Sequence, residues 1–249
     1  MKLKIGHLYP NQMNLYGDKG NIIALQKRAQ WHGLDAEVIP LCEGDTFLKN
    51  DFDVLFFGGG QDREQKIIAE DLLKIKKNSI YDAVHNGVVV LAICGGYQLL
   101  GESFKISERE ILQGIGIFDT WTVASNKRLI GNVVVQTDLF SRTLVGFENH
   151  SGQTFLRPSA KALGTVLAGF GNNGEDNQEG CITHNVFGTY LHGALLPKNP
   201  TFTDHLLKLA LKRREESWKW QPIESELENQ AHAIAEKIAK HSKINPVVQ

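Results

Sequence analysis

The chain has 249 residues, 42% of them hydrophobic and 22% charged, with a formal net charge of −1. That length and balance suit one large α/β domain of an ordinary globular enzyme. The near-zero charge leaves no electrostatic basis for nucleic acid or an anionic membrane surface, and no apolar run approaches the ~20 residues of a membrane-spanning helix.

Taken in order, Leu3–Leu8 reads as a first strand, followed by a loop from Tyr9 to Gly17. Asp18 is placed to cap a helix reaching Trp31, with Ile22, Leu25 and Ala29 on one face and Gly33 as its stop. Ala36–Pro40 is a short second strand, and Val54–Phe57 a third that ends in Gly58-Gly59-Gly60. A helix from about Arg63 carries Ile68, Leu72 and Ile75 at helical spacing, and a shorter one carries Ile80 and Val84. Gly87 then releases the chain into Val88–Ile93, an apolar run expected of a strand buried on both faces of a parallel sheet. Strand alternating with helix predicts a flavodoxin-like, doubly wound, mainly parallel sheet with its ligand at the carboxyl edge.

Beyond Leu100 the pattern turns β-rich. Asn132–Gln136, Leu144–Glu148 and Gly164–Ala168 predict an antiparallel extension, and Gly169–Gly180 reads as a surface loop. Asn185–Gly193 is a strand ending in a histidine before a glycine. A helix over about Thr203–Arg214 turns Phe202, Leu206 and Leu209 to one side. The last helix starts at Ser225 with a capping box to Glu228, and its stripe of Leu227, Ala231, Ile234 and Ile238 can dock on its own domain, which is the expected case, or on a partner. A loose tail is expected from Ile244. With no repeat or linker, residues 1–249 read as a single domain: a core over about 1–200, then C-terminal helices and tail over 201–249.

The chemistry concentrates at Val88–Leu100. A buried strand that turns into a helix at Cys94, with Ala92 before it and Gly95-Gly96 after it, is the pattern of a nucleophile elbow. A thiol buried as a small hydrophobe is the bland alternative, but the corner position has no packing need for sulfur. Among nine histidines, His32, His205, His232 and His241 fall on predicted helices and read as solvent-facing, while His7, His85 and His184 default to structural roles. His192 ends a strand where its ring reaches the sheet's carboxyl edge, with His150 as competitor. The triglycine is either a tight turn or a close backbone approach. It lacks the spacing and lysine of a phosphate-binding loop, and an N–H from Gly59 or Gly60 with that of Gly95 would make a two-donor oxyanion hole. Cys42, Cys94 and Cys181 have no metal-ligand spacing, and Met1-Lys2-Leu3-Lys4-Ile5, which runs straight into strand-like sequence, is not expected to start a signal peptide. Reduced thiols in a cytoplasmic protein are therefore expected.

Gly58-Gly59-Gly60, Cys94-Gly95-Gly96-Tyr97-Gln98-Leu99-Leu100-Gly101 and Gly188-Thr189-Tyr190-Leu191-His192-Gly193 together resemble the class I (triad) glutamine amidotransferases, in their CobB/CobQ-like branch. Asn14-Leu15-Tyr16-Gly17-Asp18-Lys19-Gly20-Asn21-Ile22 and Gly146-Phe147-Glu148-Asn149-His150 are similar to the glutaminase subunits of lipid II isoglutaminyl synthases. The resemblance implies that Cys94 attacks the side-chain amide of glutamine, that His192 relays the proton, and that Gly60 and Gly95 hold the oxyanion. It also implies that Arg128 clamps the α-carboxylate of glutamine and that Gln98 lies near the substrate.

The same resemblance implies a Mur-ligase-like (MurT-like) synthetase subunit as heterodimer partner, with ATP and magnesium on that partner and no cofactor or metal in this chain. Action at the inner face of the membrane, on the D-glutamate of lipid II, would come through the partner. One position departs from the family: Ala194 stands two residues after His192, where most triad amidotransferases have a carboxylate. The third group then comes from Asp18, Glu148 or the partner, and a slow isolated subunit is expected. Two alternatives keep the elbow: a DJ-1/PfpI-like hydrolase or deglycase, against which the Gly188–Gly193 strand end argues, and a glutaminase serving a cobyric-acid-type synthetase. A non-catalytic binding subunit is the third.

Overall fold

The computed structural model describes residues 2–215, 217–242 and 247–248. Strand β1 (Lys2–Leu8) leads through a 3-10 turn (Leu15–Gly17) to helix α1 (Lys19–Trp31) and strand β2 (Asp35–Leu41). Strand β3 (Val54–Phe57) is followed by α2 (Asp62–Asp71), a π-helical turn (Leu72–Lys76), α3 (Lys77–His85), β4 (Val89–Ile93) and α4 (Gly95–Leu100). Six strands follow: β5 (Ser103–Ser107), β6 (Glu110–Gln113), β7 (Thr120–Gln136), β8 (Leu144–Leu156), β9 (Gly164–Ala168) and β10 (Gln178–Glu179). The chain continues with β11 (Cys181–Thr183), β12 (Val186–Thr189), α5 (Leu195–Lys198), α6 (Pro200–Arg214), α7 (Glu226–His241) and β13 (Val247–Val248).

One sheet runs β2-β1-β3-β4-β12-β11 and is parallel except for β11. Every residue of β3 and β4 is buried, which is why both read as unbroken apolar runs. The strand order reverses between β1 and β3, so the loops leaving their carboxyl ends diverge and open a crevice.

The antiparallel part of the fold divides in two. β11 extends the first sheet, whereas a second sheet is built around β7, with β8 and β9 antiparallel to it and β5 parallel. β7 and β8 are 17 and 13 residues long and pair along most of that length. A short connection suffices for such a hairpin, so these strands satisfy one another rather than the edge of the first sheet.

Several local expectations are corrected. The π turn inserts a residue and rotates the helix, so Ile75 is exposed and Lys76 is buried, with its ammonium on Asp71 and on the Cys42 carbonyl. The stretch 169–180 is not a plain surface loop: Asn172, Asn173 and Glu179 are buried, and Asn172 closes it with hydrogen bonds to both backbone groups of Gly180. Asp18 and Ser225 make no side-chain cap. Ser225 and Glu228 instead face the buried Arg28 guanidinium, which also holds Asp204. A buried charge left without partners costs more than a cap returns.

α7 docks in cis through a different face from the one expected. Leu227, Ile234 and Ile238 are exposed, while His232 and Ala239 are buried, Ala239 against Val134 and Val145. The helix Leu209 is only half-buried, and Leu207 and Ala210 take its place in the core. Three helical histidines are not solvent-facing: His32 packs on Trp220, and His232 bonds the Lys198 carbonyl and Thr143. His205 lies against Phe187 and Phe140. In the tail, residues 244–246 and 249 lie outside the described residues, and Val247–Val248 pair with Arg128 and Lys127 of β7.

The α7 docking face is testable by urea denaturation. Ile234→Gln and Ile238→Gln should each change stability by no more than about 0.5 kcal/mol, whereas Ala239→Leu should overpack the interface and cost about 1–3 kcal/mol.

Candidate active site

Three loops at the carboxyl edge of the parallel sheet converge at the switch point. They are the loop after β1 that carries Asp18, the triglycine after β3, and the turn after β4 that carries Cys94. Cys94 sits at φ 48°, ψ −104°, a conformation that costs a non-glycine residue about 1–3 kcal/mol. The turn is held by its neighbours: Cys94 N–H donates to the Thr189 carbonyl of β12 at 2.8 Å, and Gly96 N–H donates to the Gly58 carbonyl at 3.2 Å. Cys94 is left 8% exposed at the start of α4. Gly95 is the first residue of that helix, so its N–H has no partner one turn back. A Cβ on Gly95 would lie 2.7 Å from Gly60 O and 2.9 Å from Gly60 N, so the two residues expected to supply the oxyanion donors are in close contact.

His192 lies just beyond β12 and is fully buried. Its backbone is tied to β8 by two hydrogen bonds with Phe147, of 2.7 and 3.2 Å. The carboxylate facing its ring is Asp18, with Oδ1 3.8 Å from Nδ1, and Asp18 Oδ2 accepts the Gly59 N–H at 2.6 Å. Glu148 is turned elsewhere: it accepts the N–H groups of Phe170 and Gly171 at 2.7 and 2.9 Å and faces His150. Ala194 adopts φ 48°, and a Cβ on Gly20 would meet the Ala194 Cβ at 2.6 Å, so the start of α1 closes over the position left without a carboxylate. Burial alone would lower the His192 pKa, but the Cys94 sulfur and Asp18 outweigh it and push it up to about 10. A sulfur beside an imidazole that holds its proton is the arrangement by which a thiol can attack an electrophilic carbon while the ring returns a proton to a leaving group.

Gly59 is the hub of the arrangement. A Cβ there would lie 3.1 Å from Asp18 Oδ2, 3.1 Å from His192 Cε1 and 3.4 Å from Cys94 Cβ. On the open side is a cavity of about 340 Å³ lined by Cys94, Gly60, Gln98 and Arg128, together with Leu15, Asn149 and Gly152. Arg128 projects from β7 and donates through Nε to Asn149 Oδ1 at 2.6 Å. Gln98 is 4% exposed and belongs to a chain of hydrogen bonds. Gln65 Nε2 donates to Gln98 Oε1 at 2.9 Å, Gln98 Nε2 donates to Tyr190 OH at 3.0 Å, and Tyr190 OH meets Thr154 Oγ1 at 2.6 Å. His150, the competing histidine, lines the same cavity but stacks on Tyr190 at 3.6 Å and bonds the Gly152 carbonyl. Gln65 and Thr154 carried no motif in the sequence, and Tyr190 and Asn149 stood inside motifs that pointed to their neighbours. Among the described residues, no group of His, Cys, Asp and Glu could hold a metal ion, and no helix is long and apolar enough to cross a membrane.

The same fold recurs in solved structures. PurLQS from Thermotoga maritima superimposes with a TM-score of 0.61 at 16% identity, over 86% of this chain and 100% of that one. The glutaminase domain of Trypanosoma brucei CTPS with bound acivicin gives a TM-score of 0.52 at 10% identity, over 88% and 96% of the two chains. The chain belongs to the CobB/CobQ-like glutamine amidotransferase domain family, which residues 4–200 match. Within that class it is similar to the GatD subunit of lipid II isoglutaminyl synthase (glutamine-hydrolyzing) from Staphylococcus aureus strain N315, at 41% identity over 94% of both chains. The GatD subunit from Streptococcus pneumoniae strain R6 is 44% identical over 86% of this chain and 82% of its own. A probable cobyric acid synthase of Methanococcus maripaludis strain C6 is 32% identical, but over only 34% of its length.

The raised His192 pKa has a defined sign in stability. A histidine whose folded value lies above its ordinary 6.5 stabilises the fold fully below that pH, and the contribution is lost as pH rises through about 10. The stability gap between the wild type and His192→Gln should therefore narrow across this range in denaturant melts, and a gap that widens with pH would contradict the pairing. Gly59→Ala should cost no more than overpacking does, about 1–3 kcal/mol, so that the variant still folds. Any glutamine hydrolysis should nevertheless fall by about 100-fold, because the new methyl presses on Asp18, His192 and Cys94 together.

Proposed function

We propose that this chain is the glutaminase subunit of a two-subunit amidating enzyme. The reading is carried by the meeting of Cys94, His192 and Asp18 around Gly59, beside a cavity that Arg128 enters. Cys94 sulfur attacks the side-chain amide carbon of glutamine, and the N–H groups of Gly60 and Gly95 hold the oxyanion. His192 passes its proton to the amide nitrogen, ammonia leaves, and a thioester remains. Water, deprotonated by His192, then attacks the thioester and releases glutamate and the free thiolate. Asp18 holds the imidazole in the tautomer that this sequence of steps needs. Arg128 pairs with the glutamine α-carboxylate, and Gln98 lines the path of the side chain.

Ammonia loses its nucleophilic lone pair when protonated, so a productive glutaminase delivers it to an acceptor through an enclosed route. The identity to the two GatD subunits supports a Mur-ligase-like synthetase as the acceptor subunit and the D-glutamate of lipid II as the group amidated. ATP and magnesium then belong to that synthetase, and this chain acts in the cytoplasm, at the inner face of the membrane through its partner.

Glutamate release measured with and without the synthetase subunit tests the assignment. Cys94→Ala should abolish hydrolysis in both conditions, and persistence of amidation from glutamine in that variant would refute the reading. Arg128→Lys keeps the charge but gives up the bidentate fork. Losing one charged hydrogen bond worth about 1.5–3 kcal/mol should raise the KM for glutamine by about 10–100-fold.

A further inference from the structure

The peptide between Gly59 and Gly60 carries one carbonyl and one N–H, and planarity points them in opposite directions. Whichever group holds the carbonyl therefore decides where the Gly60 N–H points. That group is the backbone N–H of Leu15, which donates to Gly59 O at 3.1 Å. With the carbonyl held by the loop after β1, the Gly60 N–H is turned away from Leu15, and Gly60 N lies 2.9 Å from where a Cβ on Gly95 would be.

Glycine has no conformational preference strong enough to keep this peptide from turning over. In the reversed orientation a carbonyl oxygen, rather than an N–H, would face the developing negative charge. The groups on either side are held as well: Gly59 N–H donates to Asp18 Oδ2 at 2.6 Å, and Gly60 O accepts from Gln65 Nε2 at 3.1 Å.

Two of these three restraints come from one short stretch, Asn14–Lys19. The stretch is closed on itself: Lys19 N–H donates to Asn14 Oδ1 at 2.8 Å, and Asp18 N–H donates to Leu15 O at 3.1 Å. Leu15 also lines the cavity beside Cys94. We infer that the Asn14–Lys19 segment is a positioning element that sets the oxyanion hole through the Leu15 N–H. The inference rests on the glutaminase reading and adds to it a residue whose side chain has no chemistry.

The test separates the oxyanion hole from the thiolate. Hydrolysis of glutamine passes through an oxyanion, whereas alkylation of Cys94 by iodoacetamide displaces iodide at a saturated carbon and needs only the thiolate. Leu15→Pro removes the N–H at the first position of a helical turn, where proline is tolerated. In the subunit complex it should lower kcat by about 100–1,000-fold, as for loss of one oxyanion donor, with the alkylation rate within about twofold of wild type.

Should Leu15→Pro fail to fold, Asn14→Ala serves. It opens the closing bond to Lys19 and should lower kcat by about tenfold at unchanged alkylation. Asn14→Asp, whose carboxylate can accept the same bond, should restore it. Undiminished kcat in these variants overturns the inference alone, as does a loss of alkylation in step with kcat. Absence of hydrolysis by the wild-type complex overturns the glutaminase reading, and this inference with it.

Discussion

The hydrogen bond from Gly59 N–H to Asp18, 2.6 Å long and fully enclosed, is the interaction on which the site depends. A carboxylate removed from water needs partners, and Asp18 has found them in a backbone amide and in the His192 ring 3.8 Å away. This draws the loop after β1 against the triglycine after β3, across the point where the strand order reverses. The absence of a side chain on Gly59 is what allows that closeness. The His192 proton, the Cys94 sulfur and the Asp18 charge then stabilise one another in a setting of low polarity, and together they raise the imidazole's affinity for its proton.

The second sheet serves this centre from the other side. β8 fixes the His192 backbone through Phe147, and β7 carries Arg128 to the wall of the cavity. Glu179, at the end of the long excursion after β9, accepts hydrogen bonds from Thr189 Oγ1 and Tyr190 N–H at 2.6 and 2.7 Å. It thereby secures the stretch that leads from β12 to the histidine. Burial raises the Glu179 pKa to about 7 against the pull of those bonds. The antiparallel strands therefore hold residues of the site in place rather than merely covering the parallel sheet.

Beneath the cavity, Gln65, Gln98, Tyr190, Thr154 and Thr122 are joined in one continuous run of hydrogen bonds. A connected polar chain of this kind rigidifies its surroundings, and His150, stacked on Tyr190, is absorbed into it. That explains why one of two histidines near the sheet edge faces Cys94 while the other belongs to the floor.

The sequence by itself determined what depends on local pattern. The apolar runs Val54–Phe57 and Val89–Ile93 could only be buried strands, and their glycine and cysteine endings marked where the chain turns at the sheet edge. Their placement at one carboxyl edge followed from strand–helix alternation. Only the tertiary structure decided which of Asp18 and Glu148 meets His192, because the two look alike in sequence and differ in the backbone amides that reach them. It also decided the docking face of α7, where one buried guanidinium at Arg28 outweighed a helix cap, and the phase of the helix near Ile75, where one inserted residue exchanged an isoleucine for a lysine in the interior. Periodicity reports the environment of a residue's own segment. A buried charge or an orphan amide is satisfied by whichever segment arrives beside it, and that is settled only when the chain has folded.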